Sequence, residues 1–162
     1  MTSTIDEKRE LLRHTIATLA YRGGKAIRDV PADFATFRLT AESRATSEIL
    51  AHIGDLLDWA LCLAKGEQNW KEGPPLSWDQ DVERFHAALQ RLDDYLAGDE
   101  SLGFPPEKLF QGPIADALTH VGQIAMMRRV AGAPMRGENY FKAEILGGRV
   151  GKVQQTPRVE FD

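Results

Sequence analysis

The sequence predicts an all-α fold, a four-helix bundle with a non-helical or short-helical C-terminal arm. Apolar residues recur at helical spacing in four separate segments. The connections between these segments contain the glycines and prolines typical of loops. The predicted helices cover about residues 4–22, 46–65, 78–97 and 113–131, and the arm covers residues 133–162. A chain of 162 residues suits a single domain built on one core.

The first predicted helix has a clear start and a weak end. Ser3 or Thr4 can cap it, and acidic residues in its first turn favour the positive end of the helix dipole. Apolar residues follow at helical spacing from Leu12 onward. Glycine is a poor helix former, so Gly23 and Gly24 are expected to weaken or end this helix. Residues 25–30 can alternatively extend it past the glycines, with Pro31 as the limit.

The connection from residue 25 to residue 45 is too apolar to lie free in solvent. It contains Phe34, Phe37 and Leu39. We expect this loop to pack over one end of the bundle, where it can also form the wall of a pocket. The second helix then begins with Thr46 or Ser47 as its cap.

The later helices are bounded by capping residues and prolines. Ser77 or Asp79 caps the third helix, and Pro113 suits the first turn of the fourth. Pro105 and Pro106 predict an irregular loop between these two helices. The arm is apolar enough to dock on the bundle or on a second subunit, and its last residues, 154–162, are expected to be poorly ordered.

Composition excludes several classes of protein. The net charge is −4 with no dense run of Lys or Arg, which argues against nucleic acid as a partner. No apolar run reaches the roughly 20 residues that span a bilayer, so no membrane segment is predicted. The single cysteine, Cys62, excludes an internal disulfide framework and suits a reducing cytoplasm. The polar N-terminus does not resemble a secretory signal, so a cytoplasmic location is expected.

One pair of polar residues stands out on the fourth predicted helix. Asp116 and His120 lie four residues apart, which places both side chains on one face, one turn apart. Apolar neighbours predict that this face points into the bundle, where a carboxylate must pair, neutralise or bind a cation. His52, on the inner stripe of the second helix, is the natural third member.

Two segments resemble the DinB-like family of metal-binding four-helix bundles, a group that includes thiol-dependent S-transferases. The resemblance lies in residues 46–65, which contain ILAHIGDLLDW, and in residues 112–131, which contain THVGQI. It implies that the first histidine ligand of the family is His52 and the last is His120. Asp116 stands where the family has its remaining histidine, so the three-histidine site becomes two histidines and an aspartate.

The resemblance also implies a function. A divalent ion, zinc or nickel, would hold the thiolate of a low-molecular-weight thiol, which would attack an electrophilic small-molecule substrate in a homodimeric protein. An aspartate ligand adds negative charge, which makes the metal a weaker Lewis acid. A metal-dependent hydrolase is an alternative, because three protein ligands leave room for an activated water.

Two further alternatives involve no metal. The chain can be a non-catalytic, dimeric helical scaffold that has lost its metal. Asp116 and His120 can also be a simple intrahelical hydrogen-bonded pair, with His52 a satisfied core histidine.

Other polar residues have plain structural interpretations. His14 is expected on the surface and His86 at the boundary of the core. Asp55 and Asp58 are interpreted as solvated charges rather than as residues supporting the site. Cys62 is interpreted as a small buried side chain, because no neighbouring cation stands out to lower its pKa.

Overall fold

A computed structural model describes residues 4–162 of the chain, with side chains from residue 7 onward. Within that range the fold is helical, as predicted. The helices are α1 (Thr4–Ile27), α2 (Thr46–Ala64), α3 (Trp78–Ala97), the single turn α4 (Pro106–Leu109) and α5 (Ala115–Val130). A π-helical turn, Phe110–Ile114, joins α4 to α5. Within the described residues, no helix combines the length and the apolar character needed to cross a membrane.

The four long helices form one bundle around a shared core. Helix α2 packs against α3 and α5, and α1 packs against the same two helices from the other side. Most of the largest fully buried side chains come from these long helices, and all are apolar; they include Ile16, Leu19, Ile53, Leu57, Phe85 and Leu89. The predicted four-helix bundle is therefore confirmed, with α2 and α5 as direct neighbours.

Helix α1 is longer than the sequence predicted, because it continues through Gly23 and Gly24 to Ile27. A Cβ atom at Gly23 would lie 2.7 Å from the Phe85 ring of α3. The glycine therefore lets two helices approach closely rather than ending one of them. The proposed cap at Ser3 lies outside the described residues.

Two predicted helix caps have different outcomes. Ser77 caps α3, since its side chain accepts a hydrogen bond from the backbone N–H of Gln80. Thr46 does not cap α2, because Ala45 occupies that position. The Thr46 hydroxyl instead donates to the carbonyl of Phe34. This bond ties the apolar connection to α2, and the buried Phe34 confirms that the loop packs on the bundle.

The loop predicted around Pro105 and Pro106 is partly wrong. Pro106 begins α4, which is possible because the first residues of a helix need no N–H for intrahelical bonds. Pro113 was expected in the first turn of the following helix, but it lies within the π-helical turn, and α5 begins at Ala115. The wider turn accommodates a residue that cannot donate a hydrogen bond.

The C-terminal arm docks on the bundle and is ordered nearly to its end. Strand β1 (Gly137–Glu138) pairs antiparallel with β2 (Glu160–Phe161), so the expected disorder of residues 154–162 is wrong there. A short 3₁₀ turn, Tyr140–Lys142, follows β1. These features place Glu138 and Glu160 side by side, facing α1.

A buried polar cluster holds the arm in place. We call Tyr21, Lys25, Glu138 and Glu160 the arm latch. Lys25 Nζ donates to Glu138 Oε2 at 2.9 Å and to Glu160 Oε1 at 2.8 Å, and the Tyr21 hydroxyl donates to Glu138 Oε1 at 2.5 Å. Burial alone lowers the pKa of Lys25, but the hydrogen bonds that it donates to the two carboxylates outweigh this effect and raise that pKa. For Tyr21, burial and the hydrogen bond to Glu138 both raise the pKa of the hydroxyl.

The remaining single-residue predictions are mostly confirmed. His14 is exposed, and His86 is buried, with its Nδ1 3.1 Å from the carbonyl oxygen of Val150 in the arm. Cys62 is only partly buried. The prediction for Asp55 is wrong and is corrected with the site below.

Candidate metal centre

Three side chains from two helices converge at the contact between α2 and α5. His52 lies in the middle of α2, Asp116 in the first turn of α5, and His120 one turn later. One ligand atom from each of the three lies within 4.8 Å of the others. We call these residues the triad. The sequence prediction that these residues meet is confirmed.

The separations within the triad suit a small cation. Asp116 Oδ2 lies 3.9 Å from His52 Nε2, and Asp116 Oδ1 lies 3.4 Å from His120 Nε2. Bonds of about 2.0–2.2 Å around a tetrahedral zinc ion place neighbouring ligand atoms roughly 3.4 Å apart. The two imidazole rings are nearly perpendicular, with centroids 4.8 Å apart. Small side-chain movements therefore bring all three groups to coordination distance.

The triad does not point into the core, contrary to the sequence prediction. The Asp116 side chain is 49% exposed, whereas those of His52 and His120 are 14% and 12% exposed. On α5 the core-facing positions belong to Ala117 and Val121 instead. The carboxylate therefore keeps contact with water, and the centre opens toward solvent.

Asp116 and His120 are close neighbours, but no hydrogen bond joins their side chains. Their nearest polar atoms are 3.4 Å apart, and the Thr119 hydroxyl donates to the backbone carbonyl of Asp116. His120 Nδ1 instead lies 2.8 Å from Gln123 Oε1. An amide oxygen only accepts, so this contact places the proton on Nδ1. The lone pair of Nε2 is then left facing the triad, as metal ligation requires.

His52 is held as a neutral imidazole. Burial lowers its pKa most, and the charges of Arg44 and His120 lower it further, against the opposing effects of Asp116 and Asp55. Its Nδ1 atom is buried and has no hydrogen-bond partner within the described residues. An unpaired buried polar atom is costly. The nitrogen nearest the Asp116 carboxylate is the other one, Nε2, at 3.9 Å. The neutral ring is the form that binds metal ions.

Residues around the triad shape its surroundings. The Trp70 ring, from the loop after α2, lies 5.8 Å from the His52 ring and 5.5 Å from Trp59. Arg44 lines two cavities, one of about 590 Å³ beside His120 and one of about 180 Å³ beside His52. Neither Arg44 nor Trp70 was singled out from the sequence, because both lie outside the helices whose periodicity guided the prediction.

Asp55 supports the wall of the centre instead of lying in solvent. It is buried, and its carboxylate accepts from Arg84 at 2.7 Å and from the backbone N–H of Gly73 at 3.3 Å. Arg84 on α3 also binds Asp58, which stays partly exposed. The prediction of a solvated charge is therefore wrong for Asp55, because a guanidinium from the neighbouring helix compensates its burial.

Comparisons with known proteins leave the family open. The chain matches no protein-family model, no curated protein and no solved structure. The DinB-like resemblance therefore stays a prediction, carried by the two sequence segments around the triad. The fold and the convergence of the three side chains stand on the structure itself.

The ligand set defines the chemistry that this centre can perform. Two neutral imidazoles and one carboxylate suit first-row divalent ions, and such sets occur in hydrolytic zinc sites and in non-heme iron sites. Three protein ligands leave a coordination position open for water or for a substrate atom. The half-exposed Asp116 indicates that this position is reached from solvent.

Proposed function

We propose that this protein is a DinB-like divalent-metal protein that holds zinc or nickel with His52, Asp116 and His120. One observation carries the proposal, namely three ligand atoms from two helices within 4.8 Å of one another. The lowered pKa of His52, whose Nε2 faces Asp116, and the Gln123 contact to His120 support it, because they leave two neutral imidazole nitrogens on the side of the carboxylate.

The function that fits this centre best is transfer of a low-molecular-weight thiol to an electrophilic small molecule. The metal would lower the pKa of the bound thiol, whose proton passes to water. The thiolate would then attack the electrophile, forming a C–S bond as the leaving group departs. The DinB-like resemblance favours this reaction over hydrolysis, and the reducing cytoplasm that suits Cys62 also suits a free thiol. The Asp116 ligand predicts a slower reaction than at a three-histidine site.

Metal content tests the first part of the proposal. Protein purified without a histidine tag should bind close to one equivalent of zinc or nickel, and His52→Ala and His120→Ala should lose it. His14→Ala is the matched control, because it removes an exposed imidazole of α1, a helix that contributes no residue to the triad. If the wild-type protein takes up no metal and its thermal stability is unaffected by chelators, the metal-free scaffold is the better description.

Turnover tests the second part. Metal-loaded protein should accelerate the reaction of a small thiol with 1-chloro-2,4-dinitrobenzene, and the acceleration should disappear in His120→Ala. Activity toward ester substrates without added thiol would favour the hydrolase instead. Size-exclusion chromatography with light scattering tests the homodimer expected from the resemblance.

A further inference from the structure

A cavity of about 590 Å³ opens directly beside the triad. It lies between the apolar connection that precedes α2 and the outer face of α5. His120 forms part of its wall, so a molecule bound there reaches the metal centre. Its volume lies within the range of about 300–1,000 Å³ found for small-molecule sites.

The lining of this cavity is mostly apolar. Leu39, Ile49, Met126 and Met127 provide hydrophobic contacts, and Leu39 and Met126 are exposed at its rim. Methionine side chains adapt to irregular ligands, which suits a site that accepts a range of apolar groups. No acidic residue lines the cavity.

Arg44 is the one charged residue in the lining apart from the titratable His120. Within the described part of the chain, its side chain forms no ion pair and no hydrogen bond. Arg38, in the same connection, is by contrast paired with Glu48 at 3.0 Å. Arg44 therefore presents a guanidinium without a direct ion-pair partner at the edge of an apolar cavity, although the carboxylate of Glu48 is near enough to feel its charge. A guanidinium matches the planar carboxylate group with two parallel hydrogen bonds.

We propose that this cavity binds an amphipathic carboxylate, with its apolar body against the two methionines and its carboxylate on Arg44. This inference deepens the proposed function, since it names the class of molecule delivered to the metal. It requires that Arg44 and the apolar wall act together, and it assigns the anion to the guanidinium rather than to the metal.

The test uses metal-free protein, so that any binding of the carboxylate is due to Arg44 and the apolar wall and not to a metal ion. The chain has four methionines, so ¹³C-methyl methionine spectra are simple, and Met135 lies outside the cavity as an internal reference. Titration with 3-phenylpropionate should shift the Met126 and Met127 methyl signals and leave Met135 unchanged. The neutral isostere 3-phenylpropanamide should bind more weakly.

Arg44→Gln should weaken binding of the carboxylate by on the order of tenfold and leave binding of the amide unchanged. Arg158→Gln, which removes an exposed arginine outside the cavity lining, is the control and should have no effect. Equal binding of carboxylate and amide, or binding unaffected by Arg44→Gln, would overturn the proposal. Binding that appears only after metal loading would also overturn it, because the carboxylate would then be a metal ligand. Because the assay needs no metal, failure of the metal proposal leaves its outcome intact.

Discussion

The arm latch and the triad are two clusters of ionisable side chains with opposite character. In the latch, Lys25 is 5% exposed and Glu138 is fully buried, and their hydrogen bonds are short. In the triad, Asp116 is half exposed and His52 has an unpaired buried nitrogen. The latch satisfies its own charges, whereas the triad brings three ligand atoms within 4.8 Å of one another without a hydrogen bond between them.

This difference separates a structural cluster from a candidate binding site. A buried ion pair whose partners are all hydrogen-bonded fixes one arrangement of the chain, and breaking it is costly. A group of ligand atoms without mutual hydrogen bonds contributes little to folding by itself. We therefore expect substitutions in the latch to change stability and substitutions in the triad to change metal binding.

Glu138→Gln should produce the largest effect on stability. The amide cannot accept from both Lys25 and Tyr21 in the native geometry, so one buried donor loses a charged acceptor. The free energy of unfolding should fall by about 3 kcal/mol, measured by urea denaturation. Metal affinity should not change. Glu144→Gln, at the exposed pair with Arg158, is the control and should cost less than about 1 kcal/mol.

His52→Leu should abolish metal binding and change the stability of the metal-free protein little, the reverse of Glu138→Gln. It removes the buried nitrogen that has no partner. The free energy of unfolding of the metal-free variant should therefore lie within about 1 kcal/mol of the wild-type value, or exceed it. The stabilisation that metal gives the wild type, about 2.7 kcal/mol at a concentration 100 times the dissociation constant, should disappear. Thermal unfolding with and without zinc measures both. A variant that kept the metal-dependent stabilisation would remove His52 from the centre.

Gln123→Ala should have an intermediate effect on metal affinity alone. Loss of its amide oxygen leaves the Nδ1–H of His120 without its 2.8 Å partner, and the ring orientation is then less fixed. Residues that support metal ligands in this way typically contribute 10–100-fold in affinity. Competition with a chromogenic chelator measures the change. Gln123→Glu keeps the acceptor and should retain wild-type affinity or exceed it, which a purely steric role for Gln123 does not predict.

Helical periodicity and capping residues predicted the bounds of helices that end at such local sequence signals. The bounds of α3 were predicted as observed, and those of α2 to within one residue. The end of α1 was wrong because Gly23 serves a contact with Phe85, which lies on another helix. The ordered end of the arm was missed because Lys25 binds Glu138 and Glu160, more than 100 positions away. No local pattern reports such contacts.

The same distinction applies to the candidate site. Spacing on one helix joined Asp116 to His120, and the family-like context of α2 added His52. The exposure of Asp116 was not predictable, because it depends on how α5 is rotated against α2. Arg44 and Trp70 lie in connecting segments, where no periodicity marks them. Sequence therefore identified the three candidate ligands that converge, and the fold was needed to find the residues that surround them.

The contact between His86 and the arm gives the smallest predicted effect, which appears as a dependence of stability on pH. Burial lowers the pKa of His86, the carbonyl of Val150 raises it, and Lys152 lowers it, with a net decrease. The folded protein then binds fewer protons than the unfolded chain below the ordinary histidine pKa of about 6.5. Stability should therefore fall as the pH drops from 7 to 5.

His86→Gln should lose less stability over this interval than the wild type, because its side chain does not titrate. Urea denaturation of metal-free protein at pH 7, 6 and 5 measures the two slopes. Metal-free protein avoids competition between protons and metal, and the contribution of His52, whose pKa is also lowered, is common to both proteins and cancels in the comparison. Equal slopes would show that His86 does not couple protonation to folding. A shallower slope in the variant would show that the contact between His86 on α3 and the arm couples protonation to folding, independently of any metal bound by the triad.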